Sequence, residues 1–362
     1  MSAALLGYAC DRQSRAEYGI DHIHPVFVQR STAMSTHSHT LASHGEILAN
    51  LPGILGFYPN NSLILAFFVD DEGVDTVRLG PVARFDLDEA VEKLTESRER
   101  FAAWVHHLEL DAVIAYMISD DIAQPVFDET ATYLTSGAVH LPPLLGVVQV
   151  PEIVTGAAWW SVYQHPLIDE PRHGVVGEVA ASAALQQMLE HTGELPEPSK
   201  DDIEARLNST DHGIDAAEHA DIIEDALAYI PPMFADVLQR EYEQAAAGMT
   251  QPSTRAVRSA LKCFTTPRLR DTLLAALLDD PQAGLAFIEK VMRAVPTSWP
   301  GMRAQLTATV AVLAHATGQP GLAVMSRDVV ESVEGYAANR RVVSVVVVEV
   351  EPAGQRQASF GL

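Results

Sequence analysis

The chain has 362 residues, 48% of them hydrophobic, and its 48 acidic and 24 basic side chains give a formal net charge of −24. This length and apolar share predict one large or two ordinary globular domains and exclude a disordered or collagen-like chain. The acidity argues against nucleic acid and anionic membranes as partners, because both attract Lys and Arg. Two cysteines, Cys10 and Cys263, cannot form a disulfide framework or a four-cysteine zinc module. We therefore expect a cytoplasmic protein.

Residues 1–40 show no clear hydrophobic periodicity, and we predict that they form a flexible N-terminal extension. The first clear helix signal follows at Ser43 and Glu46. Their spacing is that of a capping box, in which each side chain satisfies a free backbone N–H near the other.

Residues 41–185 alternate short apolar runs with amphipathic stretches, which predicts an α/β domain. We expect a small, mostly parallel sheet with right-handed crossover helices and one β-hairpin. Pro81 lies within the second strand of the hairpin and predicts an edge strand or a bulge there. The predicted elements are strands Ser62–Val69, Thr76–Phe85, Ala112–Ile118 and Leu144–Val150, with helices over Asp88–Leu108 and 123–136.

Residues 186–338 predict a helical domain, and residues 339–362 form a tail to which we assign no fold or function. Ser199 has the position of a helix N-cap before Lys200-Asp201-Asp202. The further predicted helices are 215–230, 233–247, 254–263, 267–278, 282–294 and 303–317.

Three stretches resemble an actinobacterial family catalogued as domain of unknown function 4192. They are Leu51-Pro52-Gly53-Ile54-Leu55-Gly56-Phe57-Tyr58-Pro59 followed by Asn61-Ser62-Leu63, then Ala83-Arg84-Phe85-Asp86-Leu87, and Gly174 to Ser182. The resemblance spans roughly residues 41 to 320. It implies no activity, ligand or cofactor.

Carboxylates follow three predicted strands, and ligands of open α/β sheets bind outside the carboxyl ends of parallel strands. Hard oxygen ligands there suit Mg²⁺ and, through it, a phosphate-bearing molecule, while Arg84 has the position to contact an anion. The alternative is that Asp88 and Asp121 cap the helices that follow them. The candidate site residues are Arg84, Asp86, Asp120, Asp121 and Glu152, with Asp88 beside them.

Other chemistry-bearing residues give weaker signals. Trp159 and Trp160 predict one ring in the core and one turned away from it, because neighbours on a strand face opposite ways. Cys263 has basic neighbours, but a small buried thiol is the more frequent case. Nucleophile, phosphate-loop and dinucleotide motifs are absent from the sequence.

The charge is unevenly distributed. Residues 190–243 contain 15 acidic and 3 basic side chains, which is half of the net charge. Arg255, Arg258 and Lys262 share one predicted helix face, which suits either an acidic partner or the acidic helices of the same chain. A protein partner at the helical region is one expectation from this pattern.

The sequence favours a non-catalytic protein that binds a ligand or a partner, because no catalytic motif is recognised. The alternative is a metal-assisted enzyme that acts on a phosphate-containing small molecule at the carboxyl edge of the sheet. A carboxylate cluster within about 5 Å would favour the enzyme, and carboxylates that stand apart would favour the binder.

Overall fold

The computed structural model describes residues 43–70, 77–108, 110–121, 125–138, 140–166, 168, 171–210, 254–265 and 267–331. These residues form two compact units. Within the described part, the first unit contains residues 43–49 and 59–179, and the second contains residues 50–58 and 180–331. The predicted extension 1–40, the predicted helices 215–230 and 233–247 and the tail 339–362 lie outside the described residues.

The first unit is built on one sheet of six strands in the order β2-β1-β3-β4-β5-β6. All four predicted strands lie close to the predicted positions, and β5 and β6 extend the sheet beyond β4. The strands are β1 (Ser62–Asp70), β2 (Val77–Asp86), β3 (Ala112–Ile118), β4 (Leu144–Val150), β5 (Ala158–Gln164) and β6 (His173–Val175).

The expectation of a mostly parallel sheet is wrong. Among the described strands, β3 and β4 form the one parallel pair, and the other four neighbouring pairs are antiparallel. The reason is that β1 inserts between β2 and β3 and runs against both. The sheet is therefore mixed, with a single parallel crossover unit at its centre.

The predicted hairpin of β1 and β2 is confirmed. Its register shifts between Ala66 and Phe68, so that Gly80 and Pro81 stand opposite the single residue Phe67. Pro81 lacks a backbone N–H, and β2 is an edge strand of the described sheet. The proline therefore lies both at an edge and at a bulge.

One face of this sheet carries a hydrophobic core packed beneath three helices, α2 (Ala90–Glu96), α3 (Arg98–His107) and α4 (Pro125–Thr135). The single helix predicted over Asp88–Leu108 is divided, because it begins as a 3-10 turn at Leu87–Glu89 and breaks at Ser97. The inward side chains include Leu63, Leu65, Phe67, Phe85, Leu94, Phe101 and Phe127.

The first turns of helix α1 (His44–Leu55) pack on the opposite face of the sheet. His44 lies 3.2 Å from the hydroxyl of Tyr116 through Nδ1, and its ring stands edge-on to Trp159. Gly45 allows this approach, because a Cβ atom there would fall 2.3 Å from the carbonyl oxygen of Val175. The backbone N–H of Glu46 also donates to the hydroxyl oxygen of Ser43 at 3.3 Å, which is one of the two hydrogen bonds of the predicted capping box.

The second unit is helical. Of its seven described helices, five agree with the predicted ones within a few residues, and no bounds were predicted for α5 and α11. They are α5 (Ala183–Thr192), α6 (Lys200–Asn208), α7 (Thr254–Phe264), α8 (Pro267–Asp279), α9 (Pro281–Arg293), α10 (Pro300–Ala316) and α11 (Pro320–Glu331). No helix in the described ranges is both long and apolar enough to cross a bilayer.

Two glycines of the Leu51–Pro59 stretch determine how α1 contacts α5 and where α1 ends. A Cβ on Gly53 would fall 2.3 Å from the amide nitrogen of Leu185, so α5 begins directly against α1. Gly56 has a φ of +78° just after the end of α1, the left-handed conformation that terminates helices. This stretch, one of the three that carry the family resemblance, thus has glycines where a side chain would clash or strain the backbone.

Candidate functional site

The carboxyl ends of β2, β3 and β4 lie at one edge of the sheet, as the sequence predicts. Strand β1 runs against β2 and β3, and β4 is parallel to β3, so these three strands share one direction. The register places Ser62 beside Asp86 on one side and beside Ile118 on the other, with Val150 beyond Ile118. These residues define the sheet edge.

Strand β1 separates the ends that were expected to meet. Neighbouring strands lie roughly 4.8 Å apart, which puts about 10 Å between the end of β2 and the end of β3. Asp120, Asp121 and Glu152 are exposed in the turns after β3 and β4. In the described ranges, no group of three or more His, Cys, Asp or Glu side chains stands close enough to hold a metal ion.

Arg84 and Asp86 pair with each other at this edge. Nη2 of the buried Arg84 lies 2.6 Å from Oδ1 of the half-buried Asp86. Arg84 also donates from Nε to the hydroxyl of Ser62 at 3.0 Å, and that hydroxyl donates to the carbonyl of Asn60. The alternation of side chains along a strand explains the pair, because residues 84 and 86 lie on the same face of β2.

The predicted helix cap at Asp88 is wrong. Asp88 lies inside the 3-10 turn, and neither Asp86 nor Glu89, at the two N-cap positions there, accepts a capping bond through its side chain. The residues between Asp121 and Pro125, where a cap by Asp121 would act, lie outside the described part.

The other sequence candidates have structural roles. Trp159 is buried and donates to the carbonyl of Val175 at 3.1 Å, while the less buried Trp160 donates to Oε1 of Gln149 at 3.0 Å. Cys263 is buried, and burial raises the pKa of its thiol to about 12. The core tryptophan and the buried thiol are confirmed.

The second unit contains a cleft that the sequence analysis did not predict. It has a volume of about 360 Å³ and opens to solvent, and we call it the acidic cleft. It lies among the end of α5, α6, the first turns of α9 and the residue before α11. Its lining residues are Thr192, Glu194, Arg206, Asp280, Gln282, Ala283, Leu285, Ala286, Glu289 and Gln319.

Arg206 is held by three carboxylates at this cleft. Its Nε and Nη2 donate to the two oxygens of Glu289 at 2.9 and 3.0 Å, which is a bidentate pair. Its Nη1 donates to Glu197 at 3.1 Å and to Glu194 at 3.4 Å. Burial alone would lower the pKa of Arg206, but Glu289, Glu194 and Glu197 raise it above its ordinary value. The guanidinium therefore remains charged.

Gln319 is the second notable group of the acidic cleft. Only 6% of the residue is exposed, and its side-chain amide, which reaches solvent at the cleft, makes no hydrogen bond to any residue that the structure describes. Its backbone amide is satisfied by the carbonyl of Ala314. An amide that has no protein partner and lines an open cleft is available to bond a ligand.

Sequence reasoning missed this site for an identifiable reason. Arg206 and Glu289 are 83 residues apart, and Gln319 lies in a connection between two helices. One local signal was present, since Arg206 is one of only three basic residues in the acidic stretch 190–243. An arginine in a stretch with so few basic residues is a candidate for a multiple ion pair.

Comparison with known proteins adds one finding. No curated protein and no solved structure matches the chain. One family, described as a domain of unknown function (DUF4192), matches residues 45–334, which is more than half of the chain. The match contains all three stretches that carry the resemblance. The chain therefore belongs to the DUF4192 family.

Proposed function

We propose that the chain is a non-catalytic binding protein and that the acidic cleft holds a small polar ligand. The observation that carries this proposal is Gln319, a residue that is more than nine-tenths buried, lines the cleft and bonds no described residue through its side-chain amide. A ligand that enters the cleft can bond to this amide without displacing a protein partner.

The size and lining of the acidic cleft support the proposal. A volume of about 360 Å³ is at the lower end of the range for small-molecule sites. Its polar groups converge from separate helices, and their positions are fixed by bonds such as that from Gln282 to the carbonyl of Thr192 at 3.0 Å. The cleft is thus held in shape before any ligand arrives.

The geometry of the sheet edge favours a binder over the metal-assisted enzyme. A shared cation needs its oxygen ligands within about 5 Å of each other, and β1 stands between the end of β2 and the ends of β3 and β4. Arg84, the residue expected to contact an anion, is bonded to Asp86 and Ser62 instead.

We further infer a cytoplasmic location without nucleic-acid partners. The net charge of −24 and the scarcity of cysteine support both inferences. A protein partner at the basic face of α7 stays a prediction, as do the domain limits 1–40, 41–185, 186–338 and 339–362.

The proposal is tested by a ligand-detected NMR screen of the full chain. The probes are short amines, polyols, dicarboxylates and sugar phosphates at about 10 mM, because ligands of few atoms bind weakly. Ala286→Trp places a large ring in the acidic cleft and leaves its charges unchanged. Ala276→Trp, at an exposed position of α8 away from the cleft, is the matched control.

We expect at least one probe class to bind to the wild type and to Ala276→Trp but not to Ala286→Trp. Gln319→Ala provides a second variant that adds no bulk, and it should weaken the same probe. Binding that is equal in all four proteins would contradict the proposal, as would a screen in which no probe binds.

A further inference from the structure

We infer that the ligand of the acidic cleft is a small organic cation, an alkylammonium with a short carbon chain. This inference rests on the proposed function, since it assigns the chemical class of the ligand for the same cleft. Three features of the cleft support it: its negative charge, the use of most of the arginine's donors and the apolar wall beside them.

The charge balance at the cleft is negative. Glu194, Glu197 and Glu289 surround a single guanidinium, that of Arg206, which leaves two carboxylates in excess. Glu289 is buried, and its attraction to charge is screened by solvent less than that of a surface residue. A cation entering the cleft therefore lowers the electrostatic energy, whereas an anion raises it.

Four of the five donors of Arg206 are already used. Four hydrogen bonds run from its guanidinium to the three carboxylates, and a guanidinium has five N–H groups in all. A phosphate or carboxylate ligand would have to displace one of these carboxylates to gain a comparable pair. Arg206 therefore holds the three carboxylates in place. The groups left to bond a ligand are mainly hydrogen-bond acceptors.

The remaining acceptors suit an ammonium group. An ammonium carries three donors and no acceptor. Glu194 is half exposed and bonds Arg206 through Oε2, so its Oε1 atom is open to a ligand. The amide oxygen of Gln319 adds a second acceptor from a different element.

A metal ion is a poorer match than an organic cation. In the described residues, no group of three or more possible metal-ligating side chains lies close enough together. The carboxylates of the cleft instead turn oxygens toward the planar guanidinium of Arg206.

An apolar wall lies beside the acidic cleft, and it is the reason for assigning a carbon chain to the ligand. A small second cavity of about 20 Å³ shares Glu194, Arg206 and Gln319 with the cleft and is otherwise lined mainly by Met188, Leu195, Ile203 and Leu322. Leu195 is 68% exposed at its rim, so carbon surface is open to a ligand there. A ligand with a short methylene chain would cover this apolar surface, whereas a hydrated inorganic ion would not.

Three probes of equal length and different charge test the inference by isothermal titration calorimetry: 1,4-diaminobutane, 1,4-butanediol and succinate. We expect 1,4-diaminobutane to bind the full-length wild type at least tenfold more tightly than either of the others. Ala286→Trp should abolish that binding, and Ala276→Trp should preserve it. Circular dichroism of each variant confirms that the helices are retained.

The outcomes separate this inference from the proposed function. If the diol or succinate binds best and Ala286→Trp abolishes its binding, the cleft is a ligand site and the cation assignment is overturned. If the diamine binds the wild type and Ala286→Trp equally, both the assignment and the proposed site are overturned. If none of the three binds at about 10 mM, where millimolar affinities are detectable, the cation assignment fails.

Discussion

Arg303 donates from Nη2 to the backbone carbonyl of Leu207 at 2.7 Å, although the two residues are 96 positions apart. The same guanidinium donates to the carbonyls of Met292 at 3.1 Å and Val295 at 2.8 Å. One buried side chain thus caps the ends of α6 and α9, where helix carbonyls lack partners within the helix. The partial negative charge of two helix ends compensates a buried cation that has no carboxylate partner among these bonds.

Replacing Arg303 should destabilise the second unit. Arg303→Met leaves several buried carbonyls without donors, and we expect a loss of about 3 kcal/mol in the free energy of unfolding. Arg303→Lys retains the charge but not the fork of donors, so its loss should be intermediate. Arg268→Met, at an exposed position of α8, is the control. Urea denaturation followed by helical circular dichroism measures all three, and a loss no larger than that of the control would contradict the capping role.

The pair of Arg206 and Glu289 should show the energetics of a buried ion pair. Glu289→Gln removes the charge that faces the guanidinium, and we expect a loss of about 2 kcal/mol. The double variant Arg206→Met with Glu289→Met removes both charges, so it should be less destabilised than Glu289→Gln alone. Denaturation of the wild type, Arg206→Met, Glu289→Met and their double variant forms a double-mutant cycle. Additive losses would mean that the two side chains do not interact.

The contact of Gly53 with α5 should tolerate no side chain. Gly53→Ala places a Cβ atom 2.3 Å from the amide nitrogen of Leu185, and we expect a loss of about 2 kcal/mol from the forced shift of backbone. Gly301→Ala is the matched control, because a Cβ in that helix position meets no atom within 4 Å. That change should be neutral or stabilising, since alanine favours helices. Equal thermal stability of the two variants would disprove the close-contact explanation.

Cys263 should be unreactive in the native protein. Burial raises the pKa of its thiol to about 12, so the thiolate is absent at neutral pH. Because burial disfavours the thiolate, this group contributes stability that is present below the ordinary thiol pKa and is lost as pH rises toward 12. In a Cys10→Ser background, a disulfide reagent at about pH 8 should label no thiol until denaturant is added. Fast labelling of the folded protein would show that the thiol is accessible.

Local patterns in the sequence predicted most of the elements of this fold. The strands β1, β3 and β4 and the helices α7 to α10 follow from apolar runs and periodicity, which depend on near neighbours in the chain. Ser199 accepts from the backbone amide of Asp202 at 3.3 Å, as its capping position predicts. The bulge at Pro81 follows from the missing N–H of that residue.

Relations between distant residues were not predicted. The insertion of β1 between β2 and β3 depends on pairing across the sheet, and the apolar composition of these strands is the same for parallel and antiparallel neighbours. The acidic cleft depends on Arg206 meeting Glu289 and on Gln319 remaining without a partner. No local spacing encodes either fact. The family stretch around Gly53 was recognisable in the sequence, but its close packing against α5 was not.

The central claim, that the acidic cleft holds a small organic cation, is tested most directly by the affinity of 1,4-diaminobutane for two charge variants. Glu194→Gln removes a carboxylate of the cleft, and Glu190→Gln removes one from an exposed position of α5 outside it. We expect calorimetry to show an affinity about fivefold lower for Glu194→Gln and an unchanged affinity for Glu190→Gln, because only a nearby charge acts strongly at physiological salt. Equal affinities of the two variants would contradict the claim.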